Sequence, residues 1–398
     1  MSLPILQLKK NEDKRLREGH VWVYSNEVDI KKSPLKNFQP GEEVVVKAAN
    51  QDVLGLAYVN PHSLIAARLF SRNPTDRLHV ALLSERLQQA LKLRESLFQK
   101  PYYRLAFGES DALPGLVIDR YGDHLAVQCN TYGMDNKKEE LLSAIRAVLP
   151  TTQSLIWRND SPIRQQEGLT SSVTAGLGEP PEIVVIEENE TAFHVPLWQG
   201  QKTGWFFDHR LNRARLKDYV RGQSVLDVFS YLGGWGIQAA RLGAKEVHCV
   251  DSSAFACEWI SKNAALNQVQ SKVQVTCEDA VTALQQLARE KKKFEVIILD
   301  PPAFIKKRKD QKEGLLAYQR LNLLALKLLT PTGILISGSC SMHLHNEDFL
   351  RLLQRASLAA HCPLQVLERG HQGPDHPIHL AIPETDYLKA IILRRLEA

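Results

Sequence analysis

The sequence predicts an α/β protein with a parallel sheet in its C-terminal part, preceded by a small β-barrel-like module and an α+β module. Three observations support this fold class. Short alternating apolar runs fill residues 5–70, helical spacing of leucines begins after residue 76, and strand and helix patterns alternate from residue 183 onwards. Regular alternation of this kind is typical of βαβ units and therefore of a parallel sheet.

The first module is predicted to span residues 1–75. Its apolar runs are short and alternate with polar residues, as in HVWVYSNEV, EEVVVKAA and VLGLAYVN, and the turn residues Pro40, Gly41 and Pro61 separate them. Several short strands joined by tight turns over this length indicate a small β-barrel-like module.

The second module is predicted to span residues 76–182. It opens with the helical pattern LHVALLSERLQQALKLRESLF, continues with a hairpin that turns at residues 121–123, and ends with a second helical pattern and the strand SLIWR. This mixture favours an α+β module. The third module, residues 183–398, begins with the hairpin EIVVIEENETAFHVPL, which is expected to turn at Glu188 and Asn189.

Composition and charge limit the possible classes of function. Hydrophobic residues make up 44% and charged residues 24%, so wholesale disorder and coiled coil are excluded. We find no apolar stretch of membrane-spanning length and no signal-peptide pattern, and we therefore expect a cytoplasmic protein without a membrane partner. The net charge is only +5, but basic residues cluster in 289–320, as expected for a polyanionic partner.

The cysteine and histidine patterns argue against disulfides and metals. The six cysteines are scattered without a CxxC pair. His371, His376 and His379 lack the accompanying thiol or carboxylate spacing of a metal site, so no metal is expected. The sequence leaves the oligomeric state open, including a homo-oligomer.

Acidic residues follow four successive strands of the third module. Asp227 precedes the glycine turn LGGWG, which lacks the GxGxxG and GxxxxGK spacings of dinucleotide and P-loop sites. Asp251 ends the second strand, where a carboxylate can accept hydrogen bonds from both ribose hydroxyls of a nucleoside. Asp279 and Asp300 end the third and fourth strands, and Asp279 is suited to an adenine amino group. Single acids at strand ends are often helix caps, but four in succession predict one crevice for an adenosine cofactor.

Cys340 follows the fifth strand, ILISGSCS, and is predicted to lie at the same carboxyl edge of the sheet. A thiolate that adds to carbon 6 of a pyrimidine makes carbon 5 nucleophilic enough to be methylated, whereas methylation of an amino group needs no thiol. A free thiol has a pKa of about 8.5, so the basic cluster 289–320 is expected to help its ionisation. We therefore predict that Cys340 is a nucleophile and that the other five cysteines are structural.

The strand-end residues resemble the motifs of class I S-adenosylmethionine-dependent methyltransferases, D-x-F-x-x-x-G-G, E-D-A and D-P-P. Longer stretches, including LREGHVWVYSNEV, GESDALPGLVIDRYGDHLAVQ, QKTGWFFDHRLNR and DHPIHLAIPETDYLKA, resemble the ribosomal RNA large subunit methyltransferase I family. The resemblance implies a PUA domain, a central α+β domain and a Rossmann-like methyltransferase domain. It also implies S-adenosylmethionine as cofactor and 5-methylcytosine formation in large-subunit (23S) ribosomal RNA. The sequence departs from the family at His209, where glutamine is common, and at Met342, where glycine is common.

The resemblance assigns Cys340 to the nucleophile position and places Asp300 at the start of the D-P-P-x-F loop. Asp300 is a hypothetical partner of cytosine N3, as hydrogen-bonding group or acid, and this role requires a raised pKa. A base for the carbon 5 proton is not evident, because position 303 is Ala303, and water is one candidate. The cofactor-binding positions are Asp227, Phe229, Gly233, Gly234, Asp251 and Asp279.

Two basic segments are predicted to hold ribosomal RNA. IKKRKDQK follows the D-P-P-x-F loop and KTGWFFDHRLNR precedes the first strand of the parallel sheet, so both could flank the crevice, although solvated helix faces are an alternative. Thr203 and Asp208 are expected to order the crevice mouth. A PUA-like module would add contacts to structured RNA. The RNA-binding candidates are Lys202, Arg210, Lys306, Lys307 and Arg308.

Two other functions stay open from the sequence. The D-P-P-x-F loop with Phe304 also suits methylation of an exocyclic amine of guanine or adenine, in which case Cys340 is structural. A non-catalytic RNA-binding assembly factor is the second alternative, although four intact aspartates at the strand ends argue against it.

Overall fold

The computed structural model describes residues 3–397. These residues form two compact units, each assembled from separate stretches of the chain. The first unit contains the residues up to 184 together with 195–207 and 374–383. The second unit contains residues 185–194, 208–373 and those from 384 onwards. The domain boundaries predicted from the sequence after residues 75 and 182 stay predictions.

The N-terminal part of the first unit is a five-stranded sheet, as its alternating pattern predicts. Its elements are β1 (Ile5–Gln7), α1 (Lys14–Arg17), β2 (Trp22–Tyr24), β3 (Glu43–Lys47), β4 (Val53–Val59) and β5 (Ile65–Ser71). The strand order is β1-β3-β4-β5-β2. β1 pairs with β3 in parallel, and the other pairs are antiparallel. In β3 the side chains of Val44 and Val46 are buried and their neighbours are not, whereas in β4 the side chains of both faces are buried.

A second five-stranded sheet follows in the same unit. Its elements are α2 (Val80–Leu97), β6 (Tyr102–Phe107), β7 (Leu116–Tyr121), β8 (His124–Cys129), α3 (Tyr132–Asp135), α4 (Lys138–Val148), β9 (Ser154–Asn159), α5 (Pro162–Glu167) and β10 (Ser172–Leu177). The strand order is β10-β9-β8-β7-β6, and only β8 and β9 run in parallel. The hairpin expected at residues 121–123 is formed by β7 and β8.

The two sheets of the first unit share a hydrophobic core. The buried leucines of α2, which recur at helical spacing, pack in the same core as Tyr58 and Phe70 from the N-terminal sheet. The hydroxyl of Tyr58 donates to the carbonyl of Pro114 at 2.8 Å. Burial of each large apolar side chain contributes about 1.5–3 kcal/mol, so this core stabilises both sheets together.

Residues 374–383 also pack in the first unit, far along the chain from its other parts. The guanidinium of Arg94 is fully buried and forms an ion pair with Asp111 at 2.6 Å. The same guanidinium donates to the carbonyl oxygen of Asp375 at 2.9 Å, and the Asp375 carboxylate accepts from the backbone N–H of Arg104 at 3.1 Å. The buried guanidinium therefore depends on the carbonyl oxygen of Asp375 for one of its acceptors.

The second unit contains an α/β sheet with helices between its strands. The hairpin strands β11 (Ile183–Glu188) and β12 (Thr191–Pro196) precede it. Its further elements are α6 (Arg210–Ala214), β13 (Ser224–Val228), α7 (Gly236–Arg241), β14 (Glu246–Asp251), α8 (Ala254–Leu266), β15 (Val273–Cys277), α9 (Ala280–Arg289), β16 (Phe294–Leu299), α10 (Gln311–Leu326), β17 (Leu329–Ser339), α11 (Asn346–Ala359), β18 (Leu364–Gly370) and β19 (Lys389–Arg395).

The turn of the β11–β12 hairpin lies one residue later than expected. Asn189 and Glu190 occupy it, and both have positive φ, 51° and 60°. Two left-handed residues make a turn whose twist matches that of the flanking strands. The sequence analysis predicted the turn at Glu188 and Asn189, but Glu188 ends β11 as a buried residue.

The seven-stranded sheet has the order β15-β14-β13-β16-β17-β19-β18. The five strands from β15 to β17 are parallel, which confirms the predicted βαβ alternation, and β19 pairs antiparallel with both neighbours. The sequence analysis did not predict the antiparallel pairs. No α-helix separates β18 from β19, so the chain lacks the crossover that a parallel pair would need. Strand order reverses between β13 and β16, and such a reversal leaves a crevice at the carboxyl ends of the strands.

No helix among residues 3–397 is long and apolar enough to cross a membrane.

The second unit contains a buried charge cluster beside its sheet. Glu188 is fully buried and accepts two hydrogen bonds from the guanidinium of Arg213, at 2.6 and 3.0 Å. The side-chain amide of Gln238 donates to the same carboxylate at 3.0 Å. A buried carboxylate needs such partners, because its desolvation costs several kcal/mol.

We expect Arg213→Met to lower the free energy of unfolding by about 3 kcal/mol, because it leaves the buried charge of Glu188 without its main partner. Urea unfolding of the full chain measures the change. The double variant Glu188→Gln, Arg213→Met removes the buried carboxylate together with Arg213, leaves Arg210 as the remaining cation, and is expected to recover part of the loss. A double variant no more stable than Arg213→Met would contradict this interpretation.

Candidate active site

Asp227 lies at the strand-order reversal of the second unit and is fully buried. One carboxylate oxygen, Oδ2, accepts from the backbone N–H of Gly236 at 2.9 Å. No described residue donates a hydrogen bond to the other oxygen, Oδ1. Burial raises the pKa of Asp227 to about 7, although the Gly236 hydrogen bond acts in the opposite direction. A buried acceptor without a donor is a position at which a cationic or hydrogen-bonding ligand group can bind.

Two glycines that follow β13 lie where a side chain would clash with neighbouring atoms. Gly233 has φ +85°, and a Cβ there would lie 2.6 Å from Ile237. A Cβ on Gly236 would lie 2.5 Å from the sulfur of Cys249. The turn also contains two non-glycine residues with positive φ, Phe229 at 68° and Tyr231 at 51°. Each such residue costs about 1–3 kcal/mol, and clusters of them are typical of ligand sites.

Asp251 is held by backbone amides at the end of β14. Its Oδ2 accepts from the N–H of Tyr231 at 2.9 Å, and its Oδ1 accepts from the N–H of Ser253 at 2.9 Å. Each carboxylate oxygen can accept further hydrogen bonds. Asp251 can therefore receive a pair of vicinal hydroxyls, and the Tyr231 hydrogen bond couples it to the glycine turn.

Asp279 is exposed and caps helix α9. Its Oδ1 accepts from the backbone N–H groups of Val281 and Thr282, at 2.9 and 3.1 Å. This is the helix-capping role that a single strand-end acid often has. The cap uses one carboxylate oxygen, and the predicted contact with an adenine amino group stays a prediction.

Asp300 directly follows β16, and a side-chain nitrogen lies close to each of its carboxylate oxygens. Trp235 donates to Oδ2 at 3.0 Å, and Nε2 of His209 lies 3.1 Å from Oδ1. The side-chain amide of Asn212 donates to Nδ1 of His209 at 3.2 Å, which holds the imidazole ring in place. Burial acts to raise the pKa of Asp300, but His209 and Trp235 outweigh it and lower the pKa. The raised pKa expected from the sequence is therefore wrong.

Cys340 directly follows β17 and is half-buried. Its thiol donates to the carbonyl oxygen of Pro301 at 3.9 Å, and Pro301 is the residue after Asp300. A Cβ on Gly338 would lie 3.3 Å from Oδ1 of Asp300, so β17 approaches Asp300 closely at this end. The structure thus brings together the two predicted catalytic residues on adjoining loops.

The hydroxyl of Tyr318, on α10, joins these two loops. It accepts from Oγ of Ser339 and shares a hydrogen bond with Oγ of Ser341, both at 2.9 Å. Oγ of Ser341 accepts from the N–H of Ile305 at 3.2 Å, and the ring of Phe304 packs on Tyr318 with centroids 4.7 Å apart. Burial raises the pKa of Tyr318 and keeps the phenol neutral. The loops on either side of Cys340 are therefore fixed by one hydroxyl cluster.

Lys389, the first residue of β19, lies beside the same loops and was missed by the sequence reasoning. It is 4% exposed, and its ammonium donates to the carbonyl oxygen of Ser341 at 2.7 Å. Burial lowers the pKa of Lys389 to about 8. The sequence does contain an indication of this residue. A lysine at the start of the apolar strand KAIIL is unusual, because lysine is rarely buried.

The predicted RNA-binding residues lie in different environments. Lys306, Lys307 and Arg308 are all exposed and form no ion pair within the described chain. Lys202, in the first unit, is exposed and stacks its ammonium 4.6 Å from the ring centre of Phe206. Arg210 was predicted to bind RNA, but the structure places it elsewhere. Its side chain is 11% exposed and lies 3.6 Å from the buried carboxylate of Glu188. A guanidinium in that position is engaged with an internal charge and is not presented to phosphates.

Thr203 and Asp208, which were expected to order the crevice mouth, belong to different units. Thr203 is fully buried in the first unit and donates to the carboxylate of Asp119. Asp208, in the second unit, accepts from the hydroxyl of Tyr387 at 2.6 Å. No group of three or more potential metal ligands occurs within residues 3–397.

Comparison with curated proteins shows similarity over nearly the whole chain. The sequence is 37% identical over 396 residues to "Ribosomal RNA large subunit methyltransferase I" of Tolumonas auensis. Proteins with the same name from Aliivibrio fischeri and Escherichia coli are 35% and 33% identical over 394 residues. Each comparison covers 98% of this chain and 98% of the relative.

Two family profiles and several solved structures also match. The PUA-like domain family matches residues 6–72, and the family called conserved hypothetical protein 95 matches residues 212–346. A structure from Streptococcus mutans, assigned as a candidate SAM-dependent methyltransferase, is 21% identical with a TM-score of 0.83. A second one, assigned as a candidate methyltransferase and complexed with SAH, is also 21% identical with a TM-score of 0.84. Both comparisons cover 98% of this chain and 100% of the other, and they confirm the predicted fold class.

We expect Asp227→Asn to gain stability relative to the unchanged protein as the pH rises from about 5 to about 8. In the folded protein the pKa of Asp227 is about 7, well above its ordinary value of 3.8, so folding becomes less favourable across this window as the carboxylate loses its proton. The asparagine does not ionise, and the relative gain is expected to be about 2–3 kcal/mol. Urea unfolding at both pH values measures it, and an equal difference at the two values would contradict the pKa assignment.

Proposed function

The chain belongs to the ribosomal RNA large subunit methyltransferase I family, and from this membership we propose that it forms 5-methylcytosine through a covalent bond between Cys340 and the target base. It is an S-adenosylmethionine-dependent methyltransferase of large-subunit ribosomal RNA. The proposal adds the methylated atom and the nucleophile to that activity. The observation that carries it is a partly accessible thiol on the loop that adjoins Asp300.

The residues around the strand-order reversal fit S-adenosylmethionine, which supplies an electrophilic methyl group when bound. Asp251 would accept the two ribose hydroxyls with the lone pairs that the N–H groups of Tyr231 and Ser253 leave available. The vacant acceptor Oδ1 of Asp227 suits the ammonium group of the methionine part, and its buried charge is compensated by that cation. Phe229, Gly233 and Gly234 would hold the cofactor through their backbone.

Cys340 acts as the nucleophile in this proposal. Its thiolate adds to carbon 6 of the cytosine, which moves electron density to carbon 5 and makes that carbon able to accept a methyl group. After loss of the carbon 5 proton, for which water is the candidate base, the bond between sulfur and carbon 6 breaks and its electron pair returns to Cys340. A thiol buried in the core could not reach a base, whereas Cys340 is half-buried at the edge of the sheet.

Asp300 contributes as a carboxylate acceptor rather than as an acid. His209 and Trp235 stabilise its charged form, and a charged carboxylate at this position can accept a hydrogen bond from the exocyclic amino group of cytosine. Such an acceptor selects cytosine over uracil, which presents a carbonyl oxygen at the same position. Trp235 donates to this carboxylate and Nε2 of His209 lies 3.1 Å from it, so both side chains hold its orientation.

The alternative reaction, methylation of an exocyclic amine, is less well supported. It relies on an aromatic residue of the D-P-P-x-F loop to stack on the target base. The ring of Phe304 instead packs on Tyr318, so this aromatic surface is already used within the protein. The family membership and the intact acidic residues also disfavour a non-catalytic assembly factor.

RNA is proposed to bind through the PUA-like domain and the basic loop, Lys306–Arg308. The PUA-like match covers residues 6–72, within the predicted first domain, 1–75. The basic loop begins a few residues after Asp300 and exposes three cations without internal partners among the described residues. Phosphate contacts by these cations would offset the few kcal/mol needed to expose an unpaired or flipped cytosine.

We expect Cys340→Ala to abolish 5-methylcytosine formation, with a rate loss on the order of a thousand-fold or more, because the ring is not activated without the nucleophile. Transfer of labelled methyl to ribosomal RNA, followed by mass analysis of the modified nucleoside, measures this. Cys362→Ala removes a cysteine that precedes β18, at the amino end of the parallel strands and away from Cys340, and should retain activity. Full turnover by Cys340→Ala, or a methylated amine as product, would refute the proposed chemistry.

Replacement of the three cations of the basic loop by glutamine is expected to weaken RNA binding and make it less salt-dependent. Three lost phosphate contacts reduce the slope of log affinity against log salt by about 2, at roughly 0.7 per contact for single-stranded RNA. Binding titrations at several salt concentrations measure the slope.

The matched control replaces Arg289, Lys291 and Lys292 by glutamine. These exposed cations precede β16, at the amino end of the parallel strands and thus away from the crevice of the second unit. The control variant should keep the slope of the unchanged protein. An equal change in both variants would show that only net charge matters and would contradict a role for the basic loop.

A further inference from the structure

Lys389 occupies a position that the proposed chemistry does not yet use. It starts β19, and in the antiparallel pairing with β17 it lies opposite Ser339, the residue before Cys340. The four residues that follow it in β19 are buried and apolar, from Ala390 to Leu393. A lysine is seldom found buried in such a strand unless a partner compensates its charge.

The ammonium of Lys389 points to the backbone on the other side of Cys340. Its only described hydrogen bond is to the carbonyl oxygen of Ser341, at 2.7 Å. Ser339 and Ser341 flank Cys340, and their side chains are both bonded to the hydroxyl of Tyr318. The lysine thus lies against the short S-C-S segment, whose conformation the hydroxyl cluster holds fixed.

Three ionisable groups face this position from the surrounding elements. Cys340 and Asp386 both attract the ammonium, while burial acts more strongly and lowers the pKa of Lys389 to about 8. Tyr318, on α10, interacts with Cys340 but has a raised pKa and stays neutral. Lys389 therefore lies against the residues on both sides of Cys340, and it can change its protonation near neutral pH.

We propose that Lys389 activates Cys340 by taking the proton of its thiol and by remaining beside the thiolate as an ammonium ion. The S–H bond of Cys340 breaks, an N–H bond forms on Nζ, and the sulfur keeps the electron pair that later bonds to the base. When the sulfur leaves carbon 6 at the end of the reaction, the ammonium again stabilises it. Lys389 is a positioning and activating residue, because it acts through Cys340. Its part in RNA methylation rests on the proposed function.

The physical reason is that a half-buried thiolate is poorly solvated. A nearby ammonium replaces the lost water interactions and shifts the equilibrium from thiol towards thiolate, as in other reactive cysteines that lie beside cationic side chains. The basic cluster 289–320, which the sequence suggested for this role, is not needed for it. Lys389 also differs from a surface lysine because its position is fixed by the Ser341 hydrogen bond.

The rate at which iodoacetamide alkylates Cys340, measured from about pH 6 to pH 10, tests the proposal in the full chain. Mass spectrometry of the Cys340 peptide gives the rate, and the exposed Cys277 in the same sample is the internal reference. Lys389→Gln keeps a donor for Ser341 and removes the charge. It is expected to slow Cys340 alkylation at pH 7 about ten-fold and to leave Cys277 unchanged, because a change of one unit in thiol pKa changes the thiolate fraction ten-fold.

Lys389→Arg retains the charge and should alkylate within about two-fold of the unchanged protein. An alkylation profile of Lys389→Gln that matches the unchanged protein would overturn the proposal. A second measurement needs no variant: nuclear magnetic resonance of ¹⁵N-labelled lysine follows the titration of Lys389 before and after alkylation. Blocking the thiol removes a negative partner and should move that titration to lower pH, and an unmoved titration would also overturn the proposal.

Neither measurement involves RNA or methyl transfer. The activation of Cys340 by Lys389 can therefore fail while the Cys340 variant still shows that the thiol is essential, and the reverse outcome is equally distinguishable. In methyl transfer itself, Lys389→Gln is expected to shift the rise of kcat with pH towards higher values, a change that a purely structural loss would not cause.

Discussion

The hydrogen bond from the backbone of Tyr231 to Asp251 is the interaction on which the cofactor side of the site depends. It connects the first and second strands of the parallel sheet at their carboxyl ends, and it requires a turn in which Phe229 and Tyr231 adopt left-handed conformations. The same turn places the N–H of Gly236 on Asp227. One short segment therefore sets the position of two carboxylates before any ligand arrives, which reduces the ordering needed for binding.

The reactive side is organised by a different principle, a cluster of neutral hydroxyls. Tyr318 joins Ser339 and Ser341 and so fixes the backbone on both sides of Cys340 without placing a charge against the sulfur. Charges approach from two other directions, with the carboxylate of Asp300 on the neighbouring loop and the ammonium of Lys389 on β19. The neutral hydroxyls hold the backbone in place, and the two charged groups are therefore free to act on the reacting atoms.

The sequence was sufficient to predict the features of the site that depend on the order of strands and turns along the chain. Acids at successive strand ends, such as Asp251, could be placed at one edge because parallel strands must end there. Features that depend on distant partners could not be predicted. Arg210 looked available for phosphate until the fold placed the buried Glu188 beside it. Likewise, the pKa direction of Asp300 is set by His209 and Trp235, and the neighbours of Lys389 lie about 50 residues earlier in the chain.

The return of residues 374–383 to the first unit has a consequence for biosynthesis. A ribosome synthesises the chain from its N-terminus, so Arg94 is made long before the carbonyl oxygen of Asp375 that accepts its hydrogen bond. Until then the nascent first unit has a guanidinium in its interior with an incomplete set of acceptors, and its last segment cannot dock. Folding of the two units is therefore interleaved rather than sequential, and a fragment that stops near residue 184 would be an incomplete version of the first unit.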